Sequence, residues 1–140
     1  KTTGVEIIKE MLELSAFIAG SGTGGTIMGV NKVLKLMKSK AKVIQVQPEE
    51  SNATHGIQGI NDGEDFLLDK SIVSETIFVK TKDAITRAKR LAKENGLLVG
   101  ISAGANVLAA ERWVAENNPE HPVVTILCDR GERYFSCYED

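Results

Sequence analysis

Residues 16–38, AFIAGSGTGGTIMGVNKVLKLMK, decide the fold. Ala16 to Gly20 have the length and composition of a short buried strand ending in glycine. Residues 25–38 change period. Ile27, Val30, Val33, Leu34 and Met37 fall on one helical face, and Lys32, Lys35 and Lys38 fall toward water. Between them runs GSGTGGT (20–26), four glycines and two threonines in seven positions. Strand, glycine-rich turn and helix in that order open a parallel α/β unit. The turn also has a chemical meaning. Glycines reach backbone shapes with φ > 0, so successive N–H groups can converge on an anion. The helix that follows adds unpaired N–H groups and the positive end of its dipole. Thr23 and Thr26 add hydroxyl donors. The loop reads as a phosphate cradle that needs no lysine.

The rest of the chain repeats the alternation. Residues 3–14 read as a helix with a capping box at Thr3 and Glu6. KVIQVQ (42–47) is a strand stopped by Pro48, and SETIFVK (74–80) is another. Residues 82–95 form a helix that ends at Asn95-Gly96. LLVGIS (97–102) reads as a short buried strand, residues 104–117 as an alanine-rich helix, and PVVTILCD (122–129) as a buried strand. Residues 48–70 show no sustained period and read as a long loop, a feature that is usually functional in a domain this size. The pattern predicts one α/β domain over residues 1–140, an open, mostly parallel sheet with helices on both faces. Ligands in such folds bind outside the carboxyl ends of the strands.

Composition narrows the function. The chain is 42% apolar and 26% charged with a net charge of −2, ordinary values for a globular domain. Its most basic stretch, Lys32 to Lys42, is one helix face and the turn after it, so nothing points to nucleic acid. The apolar runs are too short to span a membrane, and no secretory leader pattern is present. Cys128 and Cys137 have no zinc-site spacing and read as free thiols, an expectation of a cytoplasmic location. The acids Asp62, Glu64 and Asp65 lack the spacing of a calcium loop, and no other metal site is expected.

Three stretches remain as candidates. In the first, Gly20, Gly22 and Gly25 also satisfy the G-x-G-x-x-G spacing of a dinucleotide loop, with Glu49 or Glu50 as the acid that would follow the next strand. Those acids come after Pro48, out of ideal position, but the dinucleotide alternative stays open. The second is GLLVGISAGANVLAA (96–110), which brings Ser102 to a strand end ahead of a helix. Its hydroxyl can cap the helix, act as a nucleophile or meet a ring nitrogen. A hydrolytic triad is not indicated, because the only histidines, His55 and His121, have no paired acid in a matching motif. His121, just before Pro122, is expected at the surface. The third is THGIQGINDG (54–63), a glycine-bearing loop able to close over a substrate.

Together these motifs resemble one family. GSGTGGT, VQPEES, GIQGI, GLLVGISAGA and GERY occur in the order found in cysteine synthases, and TTGVEI (2–7) resembles that family's helix opening. Those are enzymes of the tryptophan synthase β-like fold that use pyridoxal 5′-phosphate, with cystathionine β-synthases as near relatives. The resemblance implies that Gly22, Thr23, Gly24, Gly25 and Thr26 bind the cofactor's 5′-phosphate. It implies that Ser102 meets the pyridine nitrogen, and that Gln58 and Gly59 belong to a loop near the substrate. The implied reaction replaces the β-substituent of O-acetylserine or O-phosphoserine with sulfide to give cysteine. The family is roughly twice this length. The resemblance therefore implies that this is the C-terminal, phosphate-binding half, that the Schiff-base lysine lies in an N-terminal domain outside these residues, and that the half alone is inactive. No residue here is expected to be catalytic. Asn61-Asp62 departs from the family's usual small residues and leaves the acceptor substrate open. The family tends to homodimerise. A non-catalytic phosphate- or partner-binding fragment is the remaining alternative.

Overall fold

Strand β1 (Ala16–Gly20) divides two hydrophobic cores by the alternation of its side chains. The computed structural model of the chain describes residues 13–20, 25–49 and 70–127. Within these, β1 is followed by helix α1 (Gly25–Leu36), strand β2 (Lys42–Pro48), a 3-10 turn (Lys70–Ile72), strand β3 (Glu75–Val79), helices α2 (Thr81–Asn95) and α3 (Ile101–Asn117), and strand β4 (Val123–Thr125). Ala16 and Ile18 join Ile44, Val46 and Val79 against Ala84 of α2 and Ile101, Ala105, Ala109 and Trp113 of α3. Phe17 and Ala19 join Val43 on the opposite face, against Ile27, Val30 and Leu34 of α1. Phe17, Ile18, Ile27 and Ile44 are fully buried, and each large apolar side chain so placed contributes about 1.5–3 kcal/mol.

All strand pairs are parallel, in the order β3-β2-β1-β4. The expected open parallel sheet with helices on both faces is present. From β1 the chain moves through α1 to β2 and then β3. Helices α2 and α3 carry it back across the sheet, with α3 lying over all four strands and α2 packed chiefly on α3. Strand β4 then joins the free side of β1, in register Ala16↔Val123, Phe17↔Val124 and Ile18↔Thr125. Strand order thus reverses between β1 and β4.

Several sequence expectations hold within a residue or two. Helix α2 ends at Gly96, which adopts the left-handed conformation at φ 68°, and the Leu97 N–H donates to the Leu91 carbonyl at 3.1 Å. Strand β2 runs through Pro48 rather than stopping before it, since a strand's last residue can forgo a ladder donor. Strand β4 is described only over Val123–Thr125 and is half-buried rather than buried, as suits a strand with one described neighbour.

Residues 97–102 need correction. They do not form a strand. Leu97 and Leu98 are exposed, only Val99 makes a bridge, and α3 begins at Ile101 rather than at residue 104. A short apolar run does not by itself distinguish a buried strand from a buried helix start. Here the small residues serve close helix packing. A Cβ on Gly104 would lie 2.3 Å from the Ala84 carbonyl oxygen, so the small residues of SAGA let α3 approach the backbone of α2. The expected helix over residues 3–14 falls mostly outside the described residues, as does most of the long loop at 48–70. Among the described residues no helix is long and apolar enough to cross a membrane.

Candidate functional site

In open parallel sheets the ligand crevice forms at the carboxyl ends of the strands, where strand order reverses. In this chain that point lies between β1 and β4. β1 delivers Gly20 to it, and α1 begins just beyond at Gly25. Thr26, in the first turn of α1, is exposed, and that turn holds no acidic residue. The α1 N-terminus therefore turns the positive end of its dipole and an exposed hydroxyl toward this point, with no acidic side chain in its first turn.

The second wall comes from α3. Gly100 is its N-cap in extended conformation, so Ser102 is not the cap that one reading of the sequence allowed; it stands inside the first turn. Residues 101–106 are all buried, Ser102 at 2% exposure and Asn106 at 1%. Ser102 and Asn106 are four residues apart and share one face of the helix. The Asn106 carboxamide reaches into the strand ends. Its Oδ1 accepts from the Gly20 N–H at 2.9 Å, and its Nδ2 donates to the Ile126 carbonyl at 3.1 Å. Nearby, the Thr125 hydroxyl donates to the Ile18 carbonyl at 2.5 Å. Asn106 was missed in the sequence. Its signal was present but weak: one amide side chain within a helix start otherwise made of small and apolar residues.

Of the expected cofactor-binding residues, Gly25 and Thr26 begin α1 and Ser102 lies in the first turn of α3, all at the carboxyl edge of the sheet. Gly22, Thr23 and Gly24 lie outside the described residues, as do Gln58, Gly59, His55, Asp62, Glu64, Asp65 and both cysteines. Glu49, the acid of the dinucleotide reading, is exposed just past β2, and its backbone N–H donates to the Val79 carbonyl at 2.9 Å. His121 is at the surface as expected, with its Nε2 3.2 Å from a Glu13 carboxylate oxygen. Among the described residues no group of three or more His, Cys, Asp or Glu side chains could hold a metal ion. On the outer surface of α2, Arg90 donates to Glu94 at 3.2 Å, and that bond holds its guanidinium above the ordinary value. A cavity of about 420 Å³ bounded by Leu14, Met37, Lys38 and His121 lies at the amino ends of the strands, opposite the crevice.

In α/β folds, a helix N-terminus beside the strand-order reversal is a common place for a phosphate group to bind. The chain belongs to the pyridoxal-phosphate dependent enzyme family, whose model matches residues 1–129. It is 44% identical to cysteine synthase B of Campylobacter jejuni over 97% of this chain and 48% of that protein. Among solved structures it is similar to O-acetylserine sulfhydrylase isoform 3 of Entamoeba histolytica, with TM-score 0.86 and 35% identity over 96% of this chain and 43% of that one. It is also similar to a hydrogen sulfide-producing enzyme of Fusobacterium nucleatum, with TM-score 0.86 and 34% identity over 96% of this chain and 44% of that one. The chain spans about half the length of the curated relatives it matches.

Proposed function

We propose that this chain forms the phosphate-binding part of a cysteine synthase, an enzyme that replaces the β-substituent of O-acetylserine or O-phosphoserine with sulfide. The observation that supports it most is the opening of α1 at the reversal of strand order, with Thr26 exposed and no acid in the first turn. That donor set suits a phosphate, and the family match makes pyridoxal 5′-phosphate its bearer. In this reading the amides of Gly22, Gly24 and Gly25 and the hydroxyls of Thr23 and Thr26 grip the phosphate. Ser102 presents a neutral hydroxyl to the ring nitrogen. A serine there leaves that nitrogen largely unprotonated, a setting that suits β-replacement. Gln58 and Gly59 line the substrate's side. When bound, the cofactor supplies an electron sink that eases loss of the β-substituent.

The Schiff-base lysine comes, in this proposal, from polypeptide outside residues 1–140, and the working location is the cytoplasm. Mixing this chain with a separately expressed segment bearing that lysine tests the reading. Cysteine formation from O-acetylserine and sulfide is the expected result. Protection of this chain from thermal unfolding by NAD, with none by pyridoxal 5′-phosphate, would turn the assignment to a dinucleotide domain.

A further inference from the structure

The β1–β4 ladder stops one step early. In a continued parallel ladder, the Gly20 N–H would donate directly to the Ile126 carbonyl. Instead the Asn106 carboxamide stands between them, accepting from one at 2.9 Å and donating to the other at 3.1 Å. A primary amide has the donor and acceptor pair of a peptide group, so it extends the sheet's hydrogen bonding while holding the two strand ends apart. The wedge is rigid, because Asn106 is 1% exposed and belongs to a helix whose first six residues are buried.

Gly20 is the last residue of β1, and α1 begins only five residues later. Whatever fixes the Gly20 amide fixes the end of β1 from which the chain goes on to α1. The same helix carries Ser102 one turn earlier on the same face. We infer that Asn106 is a positioning residue for the cofactor: its side chain sets the gap between β1 and β4 and thereby aims the start of α1 relative to Ser102. The inference deepens the proposed function and rests on that reading.

The test uses pyridoxamine 5′-phosphate, which needs no lysine to bind, and pyridoxamine as the partner lacking phosphate. Dissociation constants are measured for this chain and for Asn106→Leu, which keeps the branched shape with bulkier ends and removes both hydrogen bonds. The expected result is a roughly tenfold loss of affinity for the phosphate-bearing ligand, about the worth of one or two hydrogen bonds, with pyridoxamine binding unchanged. Gly96→Ala, a destabilising change at the C-cap of α2 that meets nothing within 4 Å, should leave both constants as they are. Asn106→Ala, in which water can take up both hydrogen bonds, should lose less than Asn106→Leu, and it stands in if the leucine variant does not fold. A folded variant that binds the phosphate ligand as tightly as the parent overturns the positioning role alone. A parent chain that does not distinguish pyridoxamine 5′-phosphate from pyridoxamine overturns the phosphate site itself, and the positioning role with it.

Discussion

Helices α1 and α3 both start at the carboxyl edge of the sheet, and their first turns are built in opposite ways. α1 opens with Gly25 and an exposed Thr26 after a glycine-rich loop. α3 opens with six consecutive buried residues, among them the polar Ser102 and Asn106. In α1 the exposed Thr26 suits access by a ligand, as the proposed function requires. In α3 small residues let the helix press against α2. The start of α3 is made for close packing, and the start of α1, under the proposed function, for access. If that distinction is real, substitutions should cost stability at α3 and ligand affinity at α1.

The largest expected effect is at Gly104. An added methyl would meet the Ala84 carbonyl oxygen at 2.3 Å and the Ala88 Cβ at 3.0 Å. Both belong to a buried helix face, so backbone must move to make room. Gly104→Ala should lose about 3 kcal/mol, the upper end for overpacking, read as a shift in the urea midpoint at unchanged slope. A loss below 0.5 kcal/mol would mean that α2 and α3 are not held at this distance.

A smaller effect is expected at Gly96, where the same substitution meets nothing within 4 Å and only the φ of 68° is at issue. Gly96→Ala should lose about 1 kcal/mol, the ordinary conformational cost of a left-handed residue with a side chain. The pair of glycines then separates contact from conformation. Equal losses at the two positions would break the account of Gly104.

The start of α1 was legible in the sequence because the apolar period of Ile27, Val30, Val33 and Leu34 sets in there. The alternating strands were legible for the converse reason: Phe17 and Ile18, or Val43 and Ile44, are apolar on both faces because helices cover both. The start of α3 was misread because Leu97, Leu98, Val99 and Ile101 look like a strand when their partners are unknown. The contact that gives the small residues of 101–106 their role is the Ala84 backbone, twenty residues earlier. Asn106 escaped notice for a related reason. A single polar residue in an apolar helix acquires meaning only once Gly20 and Ile126 are found beside it.

Thr26 completes the contrast with the smallest expected change in stability. It is exposed in the first turn of α1, and alanine is the better helix former. Thr26→Ala should therefore change the unfolding free energy by no more than about 0.5 kcal/mol in either direction. Its effect should appear in binding. Removing one hydroxyl donor to a charged phosphate should weaken pyridoxamine 5′-phosphate about tenfold, equivalent to about 1.4 kcal/mol, and leave pyridoxamine untouched. Thr26→Ser keeps the hydroxyl and should restore most of the affinity. The two-part outcome matters, because either half alone has another explanation. A stability loss like that of Gly104→Ala would make the α1 start a packed end after all. Unchanged phosphate affinity in a folded Thr26→Ala chain would leave the backbone amides as the only donors this turn supplies.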